Sequence, residues 1–103
     1  MVPEIVVRHG DLLLVRVSEI PKDAVQAKDP RVLAYGEVTG HAHRASAGLV
    51  FERPGGERYF RAPAGKPVVL RHDEHHAVVV PAGEFRIVYQ REATEAGERQ
   101  VID

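Results

Sequence analysis

Apolar and polar residues alternate with a period of two through much of this chain, and that pattern limits most strongly what it can fold into. In "DLLLVRV" Leu13, Val15 and Val17 fall on one side, with Leu12, Leu14 and Arg16 on the other. In "EFRIVYQ" Phe85, Ile87 and Tyr89 alternate with Glu84, Arg86, Val88 and Gln90. Successive side chains of an extended strand point to opposite faces, so each run predicts a strand with one apolar side. For the first run the buried face is assigned to Leu13, Val15 and Val17. Shorter runs of strand character are "EIVV", "VLAYGEV", "LVFER", "RYFRA", "PVVLR" and "AVVVP".

Turn residues separate these runs: His9-Gly10-Asp11, Pro54-Gly55-Gly56, Pro63-Ala64-Gly65 and Pro81-Ala82-Gly83. "ERPGGERYF" predicts a hairpin, and "VVVPAGEFRIV" predicts a second. One helical turn is expected in "SEIPKDAVQ", where Ser18 can cap and Pro21 sits early. The polar end, "EATEAGERQVID", reads as a short strand or a loose tail. About seven to eight short strands at this spacing predict an all-β fold, a single small antiparallel β-barrel or sandwich spanning residues 1–103.

At 103 residues the chain suits one domain and can bury a core without staples. Cysteine is absent, which removes disulfide scaffolds, thiolate metal sites and cysteine nucleophiles together. The opening "MVPEIVVRHGD" has no basic segment followed by an apolar stretch, and no apolar run approaches a membrane span. A cytoplasmic location without membrane association is therefore expected. Fourteen basic and fifteen acidic side chains leave a net charge of −1. That balance gives no global attraction for nucleic acid, although arginines recur at 53, 58, 61, 71, 86 and 91.

Five of the six histidines gather in two segments, "GHAHR" and "RHDEHHA". His41 and His43, one residue apart, project to the same face of an extended strand, with Gly40 in front allowing a bend. In the second segment His72, Glu74 and His76 share a face if the chain is extended. His75 joins His72 only if the segment turns. Imidazole is the most frequent protein ligand for transition metals, and Asp73 or Glu74 can ligate or orient a ring from behind. The candidate metal ligands are thus His41, His43, His72, Glu74 and His75, for zinc, nickel or iron, with a site that could also be shared between copies in a homo-oligomer. His9, alone on its strand, reads as a solvated polar residue.

Two other uses of the histidines compete with this. Paired imidazoles can act as general base and acid in a metal-independent phosphoesterase on RNA, with Arg44 or Arg71 neutralising the phosphate. A non-catalytic interaction module with a pH-sensitive histidine surface is the third reading. Ser18 and Ser46 lie in no nucleophile-elbow sequence, and the glycines read as turns, not as a phosphate loop.

The His41-Ala42-His43 pair resembles the start of a cupin motif. However, Ser46 and Ala47 stand where cupins carry glutamate, and no histidine follows Pro81 and Gly83, so no cupin site is carried over. More of the chain is covered by "HGDLLLVRV" with a following "IP", by "GEVTGHAHR", by "HDEHHAVVVPAGEFRIVYQRE" and by the final "RQVID". In these segments it resembles a family of small, largely uncharacterised bacterial and phage-associated proteins. Its members share G-D, T-G-H-x-H, H-x-E-H and a P-x-G turn leading to Q-R-E. The resemblance places His41, His43, His72, Glu74 and His75 on that pattern and leaves His76 off it. Ala93 stands where an aromatic residue is usual. No activity is implied by the likeness.

Overall fold

The computed structural model describes residues 4–35 and 41–90. Thr39, Gly40 and Ala93, and the end of the chain that reads as strand or tail, lie outside the described residues. Ten strands are present among those described: β1 (Ile5–His9), β2 (Leu12–Arg16), β3 (Val25–Gln26), β4 (Val32–Tyr35), β5 (Ala42–Ala45), β6 (Leu49–Glu52), β7 (Arg58–Ala62), β8 (Val69–His72), β9 (His75–Val79) and β10 (Gly83–Tyr89). The fold is all-β. Its two antiparallel sheets follow the orders β1-β2-β10-β7-β6-β3 and β4-β5-β8-β9, so the chain forms a sandwich and not a closed barrel. No helix among the described residues is long and apolar enough to cross a membrane.

The core is built from the facing sides of both sheets. Phe60 and Phe85, both fully buried, are direct cross-strand partners on β7 and β10, a pairing that stabilises antiparallel sheets. Leu12, Leu14, Leu33, Val50 and Leu70 close around them. This reverses the face assigned to "DLLLVRV". Leu12 and Leu14 are fully buried in the core, whereas Val15 is only partly covered. Alternation defines two faces of a strand, but only the second sheet decides which one is covered. Here β2 lies between β1 and β10 with Leu14 opposite Ile87. Leu13, on the other face, is buried as well.

"ERPGGERYF" forms the expected hairpin, pairing Glu52 with Arg58 around Gly56 at φ 100°. "VVVPAGEFRIV" does not. Strand β9 pairs with β8 in one sheet, and β10 pairs with β2 and β7 in the other. Pro81-Ala82-Gly83 is therefore a corner between sheets, with Val80 and Phe85 buried on either side of it.

The turn expected in "SEIPKDAVQ" is reduced to one hydrogen bond, from the Ala24 amide to the Pro21 carbonyl at 3.1 Å, and no helix forms there. The Glu84 carboxylate accepts the Ile20 amide at 2.9 Å, Arg53 donates to Asp23, and Val25–Gln26 adds a short strand to β6. Tertiary partners thus capture the groups that a helix would use. Arg58 on β7 donates to the carbonyls of Val32 and Leu33. That contact fastens the two sheets together and occupies the open edge of β4.

Candidate metal centre

Two turns and one strand carry the histidines to one place. The hairpin between β1 and β2 turns at Gly10 and Asp11, directly after His9. Strand β5 carries His43, opposite Ala34 on β4. The second turn joins β8 to β9 through Asp73 and Glu74 alone, so His72 and His75 are direct cross-strand partners. Residues three apart meet here because a two-residue hairpin lies between them, not a helical turn. An irregularity between Leu70 and His72 shifts the register just before the pair. Bulges of this kind re-aim side chains and recur beside functional sites.

His9, His43, His72 and His75 form one cluster. His43 and His72 have ring centroids 4.5 Å apart, and His72 and His75 4.6 Å. His9 lies 4.9 Å from His43 and 5.6 Å from His75. Nitrogen atoms of His43, His72 and His75 all lie within 4.8 Å of one another. Imidazoles around a tetrahedral ion at ~2.1 Å sit about 3.4 Å apart, a separation that small ring rotations can supply. Burial of these three is graded, from full at His43 through partial at His72 to exposed at His75, so the cluster opens to solvent on one side.

His9 is the residue that sequence reasoning missed. It is 2% exposed, not solvated. The signal was available in the alternation of β1, where Val7 and His9 share the buried face and Arg8 points outward. Its two ring nitrogens link the two sheets. Nε2 lies 2.8 Å from the His76 carbonyl on β9, and Nδ1 lies 2.9 Å from His43 Nδ1 on β5.

A carbonyl can only accept, so His9 Nε2 carries a proton. Burial, the largest cause, lowers the His9 pKa below its ordinary 6.5, with His75 and His72 adding to that effect against the His76 hydrogen bond. A neutral His9 then has its lone pair on Nδ1, and His43 Nδ1–H must donate to it. The network thereby assigns the lone pair of a neutral His43 to Nε2. Metal-ligating histidines are commonly oriented in this way, by an acceptor behind the ring.

The other candidate residues lie to one side. His41 is 5.7 Å from His72 between ring centroids, and its nitrogens approach Asp73 at 3.4 Å and Glu74 at 3.6 Å. The Glu74 amide donates to His72 Nδ1 at 3.0 Å. The structure therefore brings His43, His72 and His75 together, and puts His41 and Glu74 at the edge as partners of each other. His76 contributes its carbonyl to His9. The His72 pKa is also lowered, first by burial and then by His75 and His41. That shift favours the neutral form a metal requires.

Gly10 completes the site. It adopts φ +63°, and a Cβ there would lie 2.5 Å from His75 Nε2. Only glycine allows the first turn to lie against the His75 ring.

The fold and the site together define a small all-β sandwich whose sheets are joined at one edge through a partly buried histidine cluster. A family model described as a domain of unknown function (DUF8820) matches residues 8–90. The chain belongs to that family. The matched span takes in every histidine of the cluster. No curated protein and no solved structure matches the chain.

Proposed function

We propose that this protein binds one divalent transition metal ion through His43, His72 and His75. The observation that carries this reading is the convergence of three imidazoles from β5, β8 and β9, one of them held in a fixed tautomer by His9. Three protein nitrogens are the count used where an ion keeps a position open to solvent or substrate. Zinc, nickel and iron all accept such a donor set. A bound ion would supply a Lewis acid on the exposed side of the cluster.

The residues supply the rest. His9 orients His43, Gly10 makes room for His75, and the two-residue turn holds His72 opposite His75. The His72 Nδ1 lone pair accepts the Glu74 amide, so ligation by His72 would give up that contact or move its proton. The amide is exposed, and water replaces its partner at small cost.

Calorimetric titration of EDTA-stripped protein, purified without a histidine tag, tests the reading. Zinc or nickel should bind at one dominant site at about pH 7.5, and binding should be lost by about pH 5 as protons compete for the imidazoles. His43→Ala and His72→Ala should each abolish tight binding, and the double variant should be no worse, since ligands of one site act non-additively. Flat titrations with both ions, on a protein that remains folded, would refute it.

A further inference from the structure

Nine arginines lie among the described residues, and seven of them are held by partners. Arg8 reaches Gln90, Arg16 Glu4, and Arg31 the Ser46 and Gly48 carbonyls. Arg53, Arg58, Arg61 and Arg86 face carboxylates. Arg44 and Arg71 have neither a hydrogen bond nor an ion pair among the described residues. They are also direct cross-strand partners, on β5 and β8. Like charges placed opposite each other destabilise an antiparallel pair. Two guanidinium groups set side by side, paired with no carboxylate among the described residues, are what an anion site requires and what a sheet otherwise avoids.

The surroundings point the same way. Arg44 and Arg71 line a cavity of about 360 Å³ together with Ala42, Ala77, His72, Asp73 and His75. Both arginines are exposed, on the outer face of the four-stranded sheet. Of the two alanines in that lining, Ala77 is exposed and Ala42 is buried. His72 and His75 of the candidate metal centre line the same cavity. Asp73, the one carboxylate in the lining, is directed to His41 at 3.4 Å.

We infer that Arg44 and Arg71 bind the phosphoryl group of a small phosphorylated molecule, holding it beside His72 and His75. Two guanidinium forks offer up to four parallel donors and two positive charges, a match for a phosphate monoester; a carboxylate would occupy only one fork. The cavity volume is at the lower end of the range for small-molecule sites. The chain has a net charge of −1, without the basic stripe that tracks a nucleic-acid backbone. This goes beyond metal binding, and the two inferences fail separately because the arginines are not ligands.

Titration of the EDTA-stripped full chain with phenyl phosphate, followed by calorimetry at low ionic strength, tests the proposal. Binding should weaken about tenfold or more in Arg44→Ala and in Arg71→Ala, the usual loss when a hydrogen bond to a charged group is removed. It should weaken less in Arg71→Lys, which keeps the charge without the fork, and should decline as salt is added. Zinc titrations of the same variants should match the wild type, showing that fold and histidine cluster are intact. Absence of phenyl phosphate binding, or binding unaffected by both alanine variants, overturns the inference and leaves metal binding untouched. Binding of benzoate as tightly as phenyl phosphate overturns the choice of phosphoryl group. A single-stranded RNA oligonucleotide that binds far more tightly, through the same arginines, overturns the choice of a small molecule.

Discussion

Replacing His9 with leucine tests most directly whether this cluster is organised as its geometry indicates. Read as a solvated residue, His9 would be replaceable without effect. In the structure it is 2% exposed, donates to the His76 carbonyl and accepts from His43. Leucine fills a similar volume but supplies neither group, so the His43 Nδ1–H and the His76 carbonyl lose their partner. A buried polar group without a partner costs about 1–3 kcal/mol. The His43 contact is fully buried and the His76 contact only partly so, which suggests a combined loss of about 2–4 kcal/mol. For a domain of this size that corresponds to a drop in Tm of roughly 10–25 °C. Urea and thermal unfolding of the EDTA-stripped protein, followed by circular dichroism, would measure it. Zinc affinity should fall about 10- to 100-fold, the usual effect of removing the group behind a metal-bound histidine. A His9→Leu protein with unchanged Tm and unchanged zinc affinity would show that the tautomer argument is wrong.

Further tests address packing, backbone and pH. Leu14→Asp puts a charge at a fully buried position and should unfold or aggregate the protein, because several kcal/mol is a large part of a total of about 5–15 kcal/mol; Val15→Asp, at a partly covered position, should give a smaller loss in the same urea titration. Gly10→Ala combines a left-handed φ of +63° with a Cβ 2.5 Å from His75 Nε2, so it should lower Tm and weaken zinc binding together, whereas Gly55→Ala, with nothing near its Cβ, should leave zinc binding intact. The Tyr59 hydroxyl, followed by Arg53, holds the Glu57 carboxyl below its ordinary 4.5. A carboxylate lowered in the folded state binds its proton more readily once unfolded, so its stabilisation is present above 4.5 and lost as pH falls below it. Thermal melts at pH 7 and about pH 3 should therefore show a smaller acid-induced drop for Glu57→Gln than for the wild type.

The sequence by itself determined most of the strands, though not β3, together with the hairpin at Pro54-Gly55-Gly56 and the two segments that carry most of the histidines. These are local properties: side chains alternate along an extended chain, and glycine or proline stops it. The choice of inward face on β2, the corner at Pro81-Ala82-Gly83 and the capture of Ile20 by Glu84 were decided only by packing, because each depends on a second strand distant in sequence. The site divides in the same way. His72 and His75 are legible as a pair once two turn residues are seen between them, but His43 joins them only through the register of β5 against β8. His9 comes from the opposite end of the chain, across 34 residues from His43, and it enters the cluster because the edge strands β1 and β9 meet where the sheets close. Read along the chain, Arg44 and Arg71 are alternative partners for a phosphate, and nothing in their spacing sets them side by side. The antiparallel register places them opposite each other, and the proposed phosphoryl site rests on this placement of like charges side by side, next to the histidines.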